Sequence, residues 1–223
     1  MNHSLSDFVD LTAEQRAVLE AFERDVDLCQ TFYFTGGTLL KALGIGPRTS
    51  NDLDFFTFPK IDGRLFFERR KKMHALFLSV FGEQNIHVTE EAYIHRPSGM
   101  ALDIVIENIG MIDDFVSFGA LKTAGIKDIA AGKAAALCSR DEIKDYVDIA
   151  FLTKNEGWRL KDLEEIAERK YGLGTITEEK LLAELIAKKE QFAIAAKMFL
   201  RDGEQNIAFV QSQIASLIEH TTL

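Results

Sequence analysis

Two aspartates spaced one residue apart are the residues in this chain whose type and spacing most clearly suggest chemistry. Asp52 and Asp54 lie downstream of Gly36-Gly37, a glycine pair at the end of an apolar run. In an extended strand, residues i and i+2 point to the same face, so both carboxylates are expected to project together. Neighbouring anions repel each other and are costly to desolvate. A divalent cation compensates for both effects, and hard carboxylate oxygens suit Mg²⁺, so this segment predicts metal-assisted phosphoryl chemistry.

A polar strand end is the alternative interpretation of the aspartate pair, because Asn51-Asp52 is also favourable turn chemistry. Asp54, however, lies between Leu53 and Phe55-Phe56. A solvated loop does not normally carry such apolar residues. Asp54 is therefore expected either to face solvent at a strand edge or to bind a ligand.

A third carboxylate interrupts an apolar strand further along the chain. Residues 101–107 read ALDIVIE, and alternation places Asp103 on the face opposite Leu102 and Ile104. A charged group among apolar neighbours needs a partner. One alternative is an Arg or Lys; the other is a metal shared with Asp52 and Asp54. A shared metal accounts for all three carboxylates, and it would orient a triphosphate and lower the pKa of an attacking hydroxyl.

The segment that precedes the aspartates has the composition of a phosphate-binding turn. Gly36, Gly37 and Thr38 would present backbone N–H groups and a hydroxyl at the start of a helix predicted over 38–43. Such a site attracts phosphate. An ordinary strand-to-helix turn is the alternative, because a glycine pair alone is uninformative. Lys41 and Arg48 either add positive charge to this pocket or lie at the surface. Ser50, on the connection to the aspartates, is a further predicted nucleotide-binding residue.

A second group of charged residues lies in the helical part of the chain. Lys133 interrupts the small apolar sequence DIAAGKAAAL; it either reaches solvent along its aliphatic stem or contacts a phosphate. Asp145 either faces a cleft or pairs with Arg140. Lys144 and Asp148 have the i,i+4 spacing of helical ion pairs.

The elements around these residues divide the chain near residue 125. Up to that point, strand patterns alternate with helical ones, including a helix over 12–30, a strand over 53–58 and a helix over 62–81. After it, the pattern is helical throughout. We therefore predict an α+β half over 1–125, followed by a helical half over 126–223.

The composition limits the other functional classes. The 223-residue chain has a formal net charge of −9, so a broad basic surface for nucleic acid is not expected. The four basic residues at 69–72 would point in all directions around a helix, which favours a solvated run over a binding patch. The two cysteines and five histidines have no metal-ligand spacing. No segment approaches the roughly 18 apolar residues of a membrane helix. The sequence therefore predicts a cytoplasmic protein with no membrane partner.

Two segments resemble the nucleotidyltransferase toxins of the AbiEii/AbiGii type, within the polymerase-β-like nucleotidyltransferase superfamily. The first is TGGTLLKALGIGPRTSNDLDFF at 35–56, and the second is DIAAGKAAALCSRDEIKDYVDIAFL at 128–152. They stand in the order and at the separation expected for that family. In the first segment, Thr38 replaces the more common serine, and the connection to Asp52 is longer than usual.

The resemblance implies a nucleotidyltransferase-like mixed sheet in the α+β half over 1–125 and a helical half over 126–223 that completes the cleft. It also implies a role for each matching residue. Gly36, Gly37 and Thr38 match the phosphate-cradling turn, and Lys133 matches a lysine that contacts nucleotide phosphates. Asp145 matches an acidic residue implicated in activity. The carboxylates that match the Mg²⁺ ligands are Asp52, Asp54 and Asp103. The family is described as the toxin half of toxin–antitoxin or phage-defence pairs, and some members add nucleotides to tRNA.

The sequence thus leads to one main hypothesis and two alternatives. The main hypothesis is a Mg²⁺-dependent nucleotidyltransferase that moves an NMP from an NTP to an acceptor hydroxyl, with tRNA or another RNA as acceptor and a cognate antitoxin protein as partner. One alternative is a catalytically inactive nucleotide- or partner-binding protein with the same fold. The other is a nucleotidyltransferase that acts on small molecules. The identities of the NTP and of the acceptor are left open.

Overall fold

The computed structural model describes residues 3–89, 92–201 and 203–221. The chain forms two compact units. The first contains the described residues of 1–44, 50–110 and 114–125, and the second contains those of 45–49, 111–113 and 126–223. In the described part, every strand lies in the first unit. The short segments 45–49 and 111–113 belong to the helical unit although the residues on either side of each segment belong to the first unit.

Local capping determines where the helices of the first unit begin and end. Helix α1 (Ala13–Glu23) begins after Thr12, whose side chain accepts a hydrogen bond from the Gln15 amide. The single helix predicted over 12–30 is interrupted, because Asp25 caps a separate short helix, α2 (Val26–Cys29). Helix α4 (Gly63–Phe81) begins after Asp62, as predicted. A side-chain acceptor at these positions satisfies N–H groups that the helix itself leaves free.

The helix that follows the first strand begins earlier than the sequence predicts. Strand β1 (Phe32–Thr35) leads directly into helix α3 (Gly36–Ala42). The prediction of a tight turn at Gly36-Gly37 before a helix at 38 is therefore wrong. Both glycines belong to the first turn of α3, where Gly36 adopts a φ of 80°.

The strands of the first unit form one mixed sheet. The order is β3-β4-β5-β2-β1-β7-β6. Strand β2 runs parallel to β5, β1 runs parallel to β7, and the remaining neighbours are antiparallel. This arrangement confirms the predicted α+β class. The other strands are β2 (Leu53–Thr57), β3 (Ile86–Val88), β4 (Ala92–His95), β5 (Met100–Val105), β6 (Val116–Phe118) and β7 (Leu121–Thr123).

Alternation along β2 determines which face carries Asp54. Leu53, Phe55 and Thr57 are buried, whereas Asp54 and Phe56 are half-buried. The Phe55 ring stacks on Phe22 of α1 with 4.5 Å between ring centroids. Because successive side chains of a strand point to opposite faces, burying Phe55 against α1 directs Asp54 to the other face of the sheet.

The second unit is built from helices that pack through apolar faces. Tyr146 and Phe192, both buried, stack with 5.2 Å between ring centroids. No helix in the described ranges is long and apolar enough to cross a membrane. The helices are α5 (Ile126–Ser139), α6 (Ile143–Glu156), α7 (Leu160–Tyr171), α8 (Glu178–Phe199) and α9 (Gly203–Thr221).

A buried ion pair attaches the segment 111–113 to the helical unit. The Lys170 ammonium lies 2.8 Å from Asp128 Oδ1, and both side chains are buried. The same carboxylate accepts hydrogen bonds from the backbone N–H groups of Ile112 and Asp113, at 3.1 and 2.9 Å. Each oxygen of Asp128 is thus bonded, which compensates for burying its charge.

Candidate active site

Asp54 and Asp103 occupy the same register position on the parallel strands β2 and β5. Their neighbours are also paired, Leu53 with Leu102 and Phe55 with Ile104, and these four side chains are buried. Asp54 and Asp103 therefore share the opposite, half-buried face. Adjacent strands lie about 4.8 Å apart. The structure thus brings the third predicted carboxylate next to the second.

Gly36 lies directly against the Asp54 carboxylate. A Cβ built on Gly36 would come within 2.6 Å of Asp54 Cγ. The φ of 80° at Gly36 is itself a conformation that residues with a side chain rarely adopt. Glycine is required here for two independent reasons, and the predicted importance of this position has a steric explanation.

Asp52 lies just before β2 and is half-buried. Within the described ranges, no three His, Cys, Asp or Glu side chains are arranged to hold a metal ion by themselves. Protein sites for Mg²⁺ often supply only one or two carboxylates and take further oxygens from water and substrate phosphates. The hard oxygens of Asp54 and Asp103, on adjacent strands, fit that kind of site. Asp52 precedes the strand and forms no three-carboxylate group with them, so a metal contact by Asp52 stays a prediction.

The Thr38 hydroxyl is engaged inside the protein. Thr38 is fully buried, donates to the Asp52 carbonyl and lies 3.0 Å from the Ser50 hydroxyl. It therefore connects α3 to the segment that leads into β2. Nucleotide contacts by Thr38 and by Ser50 stay predictions.

Two buried polar residues contact this segment, and one of them, Gln15, carries no prediction from the sequence. Gln15 is fully buried, and its side-chain N–H groups donate to the carbonyls of Ser50 and Asn51 at 3.0 and 3.1 Å. Lys41, also buried, donates to the Ser50 carbonyl at 3.1 Å. The only sequence signal for Gln15 is its position three residues after Thr12, the spacing of a capping box.

In the second unit, Lys133 is buried between two carboxylates. Its ammonium lies 3.0 Å from Asp145 Oδ1 and 2.7 Å from Asp148 Oδ2, and the residue is only 8% exposed. It does not reach solvent along its stem. A phosphate contact by Lys133 stays a prediction.

Arginines complete the charge cluster around Lys133. Arg48 contacts Asp148 through two nitrogens, Nε at 2.6 Å and Nη2 at 3.3 Å. Arg140 contacts Asp145 in the same way, at 2.7 and 2.9 Å. Two-point contacts of this kind fix both partners in orientation. Three cations face two carboxylates, so the cluster carries one net positive charge.

One predicted ion pair is wrong. Lys144 pairs with Glu142, 2.7 Å away, rather than with Asp148. Asp148 faces the buried side of α6, where Arg48 and Lys133 are its partners. Lys144 and Asp148 do lie four residues apart on helix α6. Asp148 is buried, however, and pairs with Arg48 and Lys133 instead.

The cluster shifts the pKa of two of its members. Burial by itself would lower the pKa of Lys133, but the charges of Asp148 and Asp145 outweigh burial and raise it. Burial by itself would raise the pKa of Asp145, but the hydrogen bond from Arg140 and the charge of Lys133 lower it. Lys133 and Asp145 therefore both remain charged at neutral pH.

Acidic residues of the same unit pair with part of the basic run at 69–72. Lys72 lies 2.8 Å from Asp25 and 2.7 Å from Asp27, and Arg69 lies 3.3 Å from Asp27. These partly exposed pairs occupy two of the four cations of the run. The run is thus not an open cationic patch.

The mixed sheet and the helical unit form a nucleotidyltransferase-like fold, which solved structures share. The chain is similar over 96% of its length to the crystal structure of JHP933 from Helicobacter pylori, of which 95% is covered, with a TM-score of 0.55 and 17% identity. It is also similar over 92% of its length to MenT4, a nucleotidyltransferase toxin from Mycobacterium tuberculosis H37Rv, with 85% of that chain covered, a TM-score of 0.50 and 14% identity.

Sequence comparison identifies the family. The model of the family described as nucleotidyl transferase AbiEii toxin, type IV TA system, matches residues 17–212. A protein of Aquifex aeolicus (strain VF5), aq_aa25, is 33% identical over 171 residues, which cover 72% of this chain and 76% of that protein. The chain belongs to the AbiEii nucleotidyltransferase toxin family, which confirms the resemblance seen in its two motifs.

Proposed function

We propose that this protein is a Mg²⁺-dependent nucleotidyltransferase that moves an NMP from an NTP to an acceptor hydroxyl. The observation that carries the proposal is the register pairing of Asp54 with Asp103 on parallel strands. Family membership supports the same reaction class. Asp52, Asp54 and Asp103 would hold Mg²⁺, which when bound neutralises the triphosphate and lowers the pKa of the acceptor hydroxyl.

The reaction moves the α-phosphorus of the NTP from a pyrophosphate oxygen to the oxygen of the acceptor hydroxyl. The acceptor hydroxyl loses its proton, which we assign to Asp103 as proton acceptor, and its oxygen forms a bond to the α-phosphorus. The bond from that phosphorus to the oxygen bridging the β-phosphate breaks, and pyrophosphate leaves with the electron pair. The protein's part is to hold the carboxylates and the triphosphate in place before the reaction.

The helical unit has a supporting role in this proposal. Asp145 is fully buried and bonded to Lys133 and Arg140, and its pKa is lowered. A carboxylate held in this state is a poor proton acceptor. We assign Asp145 the task of fixing Lys133, and we assign Lys133 the contact with nucleotide phosphates that the family resemblance implies. We assign a phosphate contact to Arg48 as well, because of its positive charge.

The biological role follows from the family description. We propose that the protein is the toxin of a type IV toxin–antitoxin pair with a cognate antitoxin protein, and that tRNA is the acceptor. RNA binding depends on neutralising phosphates. With a net charge of −9, the chain would have to do so through local cations rather than through its overall charge.

The test is a transfer assay with radiolabelled NTPs, Mg²⁺ and tRNA, comparing the wild type with Asp54→Asn. The variant is expected to lose transfer while keeping its thermal unfolding temperature. Asp114→Asn is the matched control, because Asp114 is exposed in the same unit, and it should transfer normally. Undiminished transfer by Asp54→Asn contradicts the proposal. NTP binding without pyrophosphate release, across RNA, protein and small-molecule acceptors, would instead indicate an inactive binding protein.

A further inference from the structure

The segment that leads into β2 is held by side chains rather than by a neighbouring strand. Residues 49–52 have no regular secondary structure. The carbonyl of Ser50 accepts hydrogen bonds from Gln15 and Lys41, and the carbonyl of Asn51 accepts one from Gln15. Gln15 and Lys41 are both buried, so their polar groups need such partners.

The third carbonyl in succession, that of Asp52, accepts a hydrogen bond from the Thr38 hydroxyl. On its other side, the segment is fixed by the Asn51 side chain, which donates to the Ser98 carbonyl at 2.9 Å. Ser98 lies in the turn between β4 and β5, and β5 carries Asp103. The peptide planes on either side of Asn51 are therefore fixed, and with them the direction in which the Asp52 side chain leaves the backbone.

Gln15 uses its full hydrogen-bonding capacity in this arrangement. Its side-chain nitrogen donates to two carbonyls, and its side-chain oxygen accepts from the Thr12 amide at 3.1 Å and from the Lys41 ammonium at 3.2 Å. An amide offers two donor hydrogens and two acceptor lone pairs, so none remains unused. A buried polar network in which every group is satisfied is rigid and specifies one conformation.

We propose that Gln15 and Lys41 are positioning residues for the metal ligand Asp52, an inference that rests on the proposed function. They act through backbone carbonyls and limit the positions that the Asp52 carboxylate can take, two residues before Asp54. The carboxylates repel one another in the absence of a cation. A flexible backbone would let Asp52 move away, whereas a backbone fixed at three successive carbonyls keeps the ligands in place before the metal binds.

The experiment compares Gln15→Met and Lys41→Met with the wild type. Methionine is similar in size to both residues but donates no hydrogen bond. Mn²⁺ binding, measured by electron paramagnetic resonance, is expected to weaken about 10- to 100-fold, the range found when residues that orient metal ligands are removed. The Mg²⁺ concentration that gives half-maximal transfer should rise by a similar factor, and excess Mg²⁺ should restore part of the rate. Lys41→Arg keeps a buried cationic donor and should bind Mn²⁺ more tightly than Lys41→Met.

Thr31→Val is the matched control for lost stability. Thr31 is a buried residue of the same unit, and its hydroxyl donates to the Asp27 carbonyl at 2.6 Å. This variant should lower stability without changing Mn²⁺ affinity.

The outcomes separate this inference from the proposed function. Weak Mn²⁺ binding by Asp54→Asn together with wild-type binding by Gln15→Met and Lys41→Met would overturn the positioning role alone. Wild-type binding by Asp54→Asn would overturn the metal site and both proposals with it. If Gln15→Met fails to fold, the two Lys41 variants decide: equal, wild-type Mn²⁺ affinities would overturn the positioning role.

Discussion

The backbone of Gly36 lies against the carboxylate of Asp54, with no space for a side chain between them. Thr35, the preceding residue, is the register partner of Asp54 across β1 and β2. The glycine that the sequence suggests for phosphate binding thus also determines where a proposed metal ligand can lie. A side chain at residue 36 would therefore have two separate effects: it would strain the backbone, and it would displace Asp54.

Gly36→Ala is expected to reduce transfer by about 100-fold, because it would displace the Asp54 carboxylate, and a displacement of about 1 Å in an active site can have an effect of that size. It should also cost about 1–2 kcal/mol of stability, since alanine is strained at a positive φ. Gly157→Ala is the control: Gly157 has a φ of 70°, and a Cβ there meets nothing within 4 Å. The control should lose similar stability and no activity. Equal activity of the two variants would contradict a specific role for the Gly36–Asp54 contact.

Lys133→Met is expected to destabilise the protein by about 3–5 kcal/mol, because it leaves Asp145 and Asp148 buried with less compensation. Urea unfolding would measure the change. Lys144→Met provides the comparison, since Lys144 pairs with Glu142 near the surface and such pairs contribute about 0–1 kcal/mol. If both variants lost the same small amount, the buried cluster would not be a significant source of stability.

The lowered pKa of Asp145 predicts how stability depends on acid. The carboxyl has an ordinary value of 3.8 and a lower value in the folded protein. Its contribution to stability is therefore fully present above pH 3.8 and is lost as the pH falls through the lower, folded value. The stability difference between wild type and Asp145→Asn, from urea unfolding at a series of pH values, should be constant from neutral pH to about pH 5. It should then shrink in stronger acid, and a difference that grew in acid would contradict the assignment.

Lys170→Met is expected to loosen the segment 111–113, because it removes the cation that compensates buried Asp128. Amide hydrogen exchange of Ile112 and Asp113 should accelerate, since both amides donate to that carboxylate. Lys161→Met, on the same helix, is the control, because Lys161 is exposed and pairs with Glu164 rather than with Asp128. Exchange at 112 and 113 that is unchanged in Lys170→Met would show that the backbone bonds to Asp128 suffice without the ion pair.

Local patterns in the sequence predicted most of the elements near the site. The alternation of β2 and the cap at Asp62 depend on neighbours within a few residues, and both predictions agree with the structure. Predictions that depended on distant partners were less complete. The spacing predicts a pair between Lys144 and Asp148, and it predicts no contact between Gln15 and the segment before β2. The actual contacts of these residues depend on which helix faces are buried.

The sequence by itself determined the family, the α+β class and the presence of carboxylates at 52, 54 and 103, because motif order and local periodicity are written along the chain. Tertiary structure decided which of these groups meet. The partner of Asp54 on β5 is set by strand register, and the Arg48–Asp148 contact joins residues 100 positions apart. Such pairings arise when apolar faces pack and leave charged groups buried beside one another. A buried charge then pairs with an oppositely charged group that packing has placed next to it.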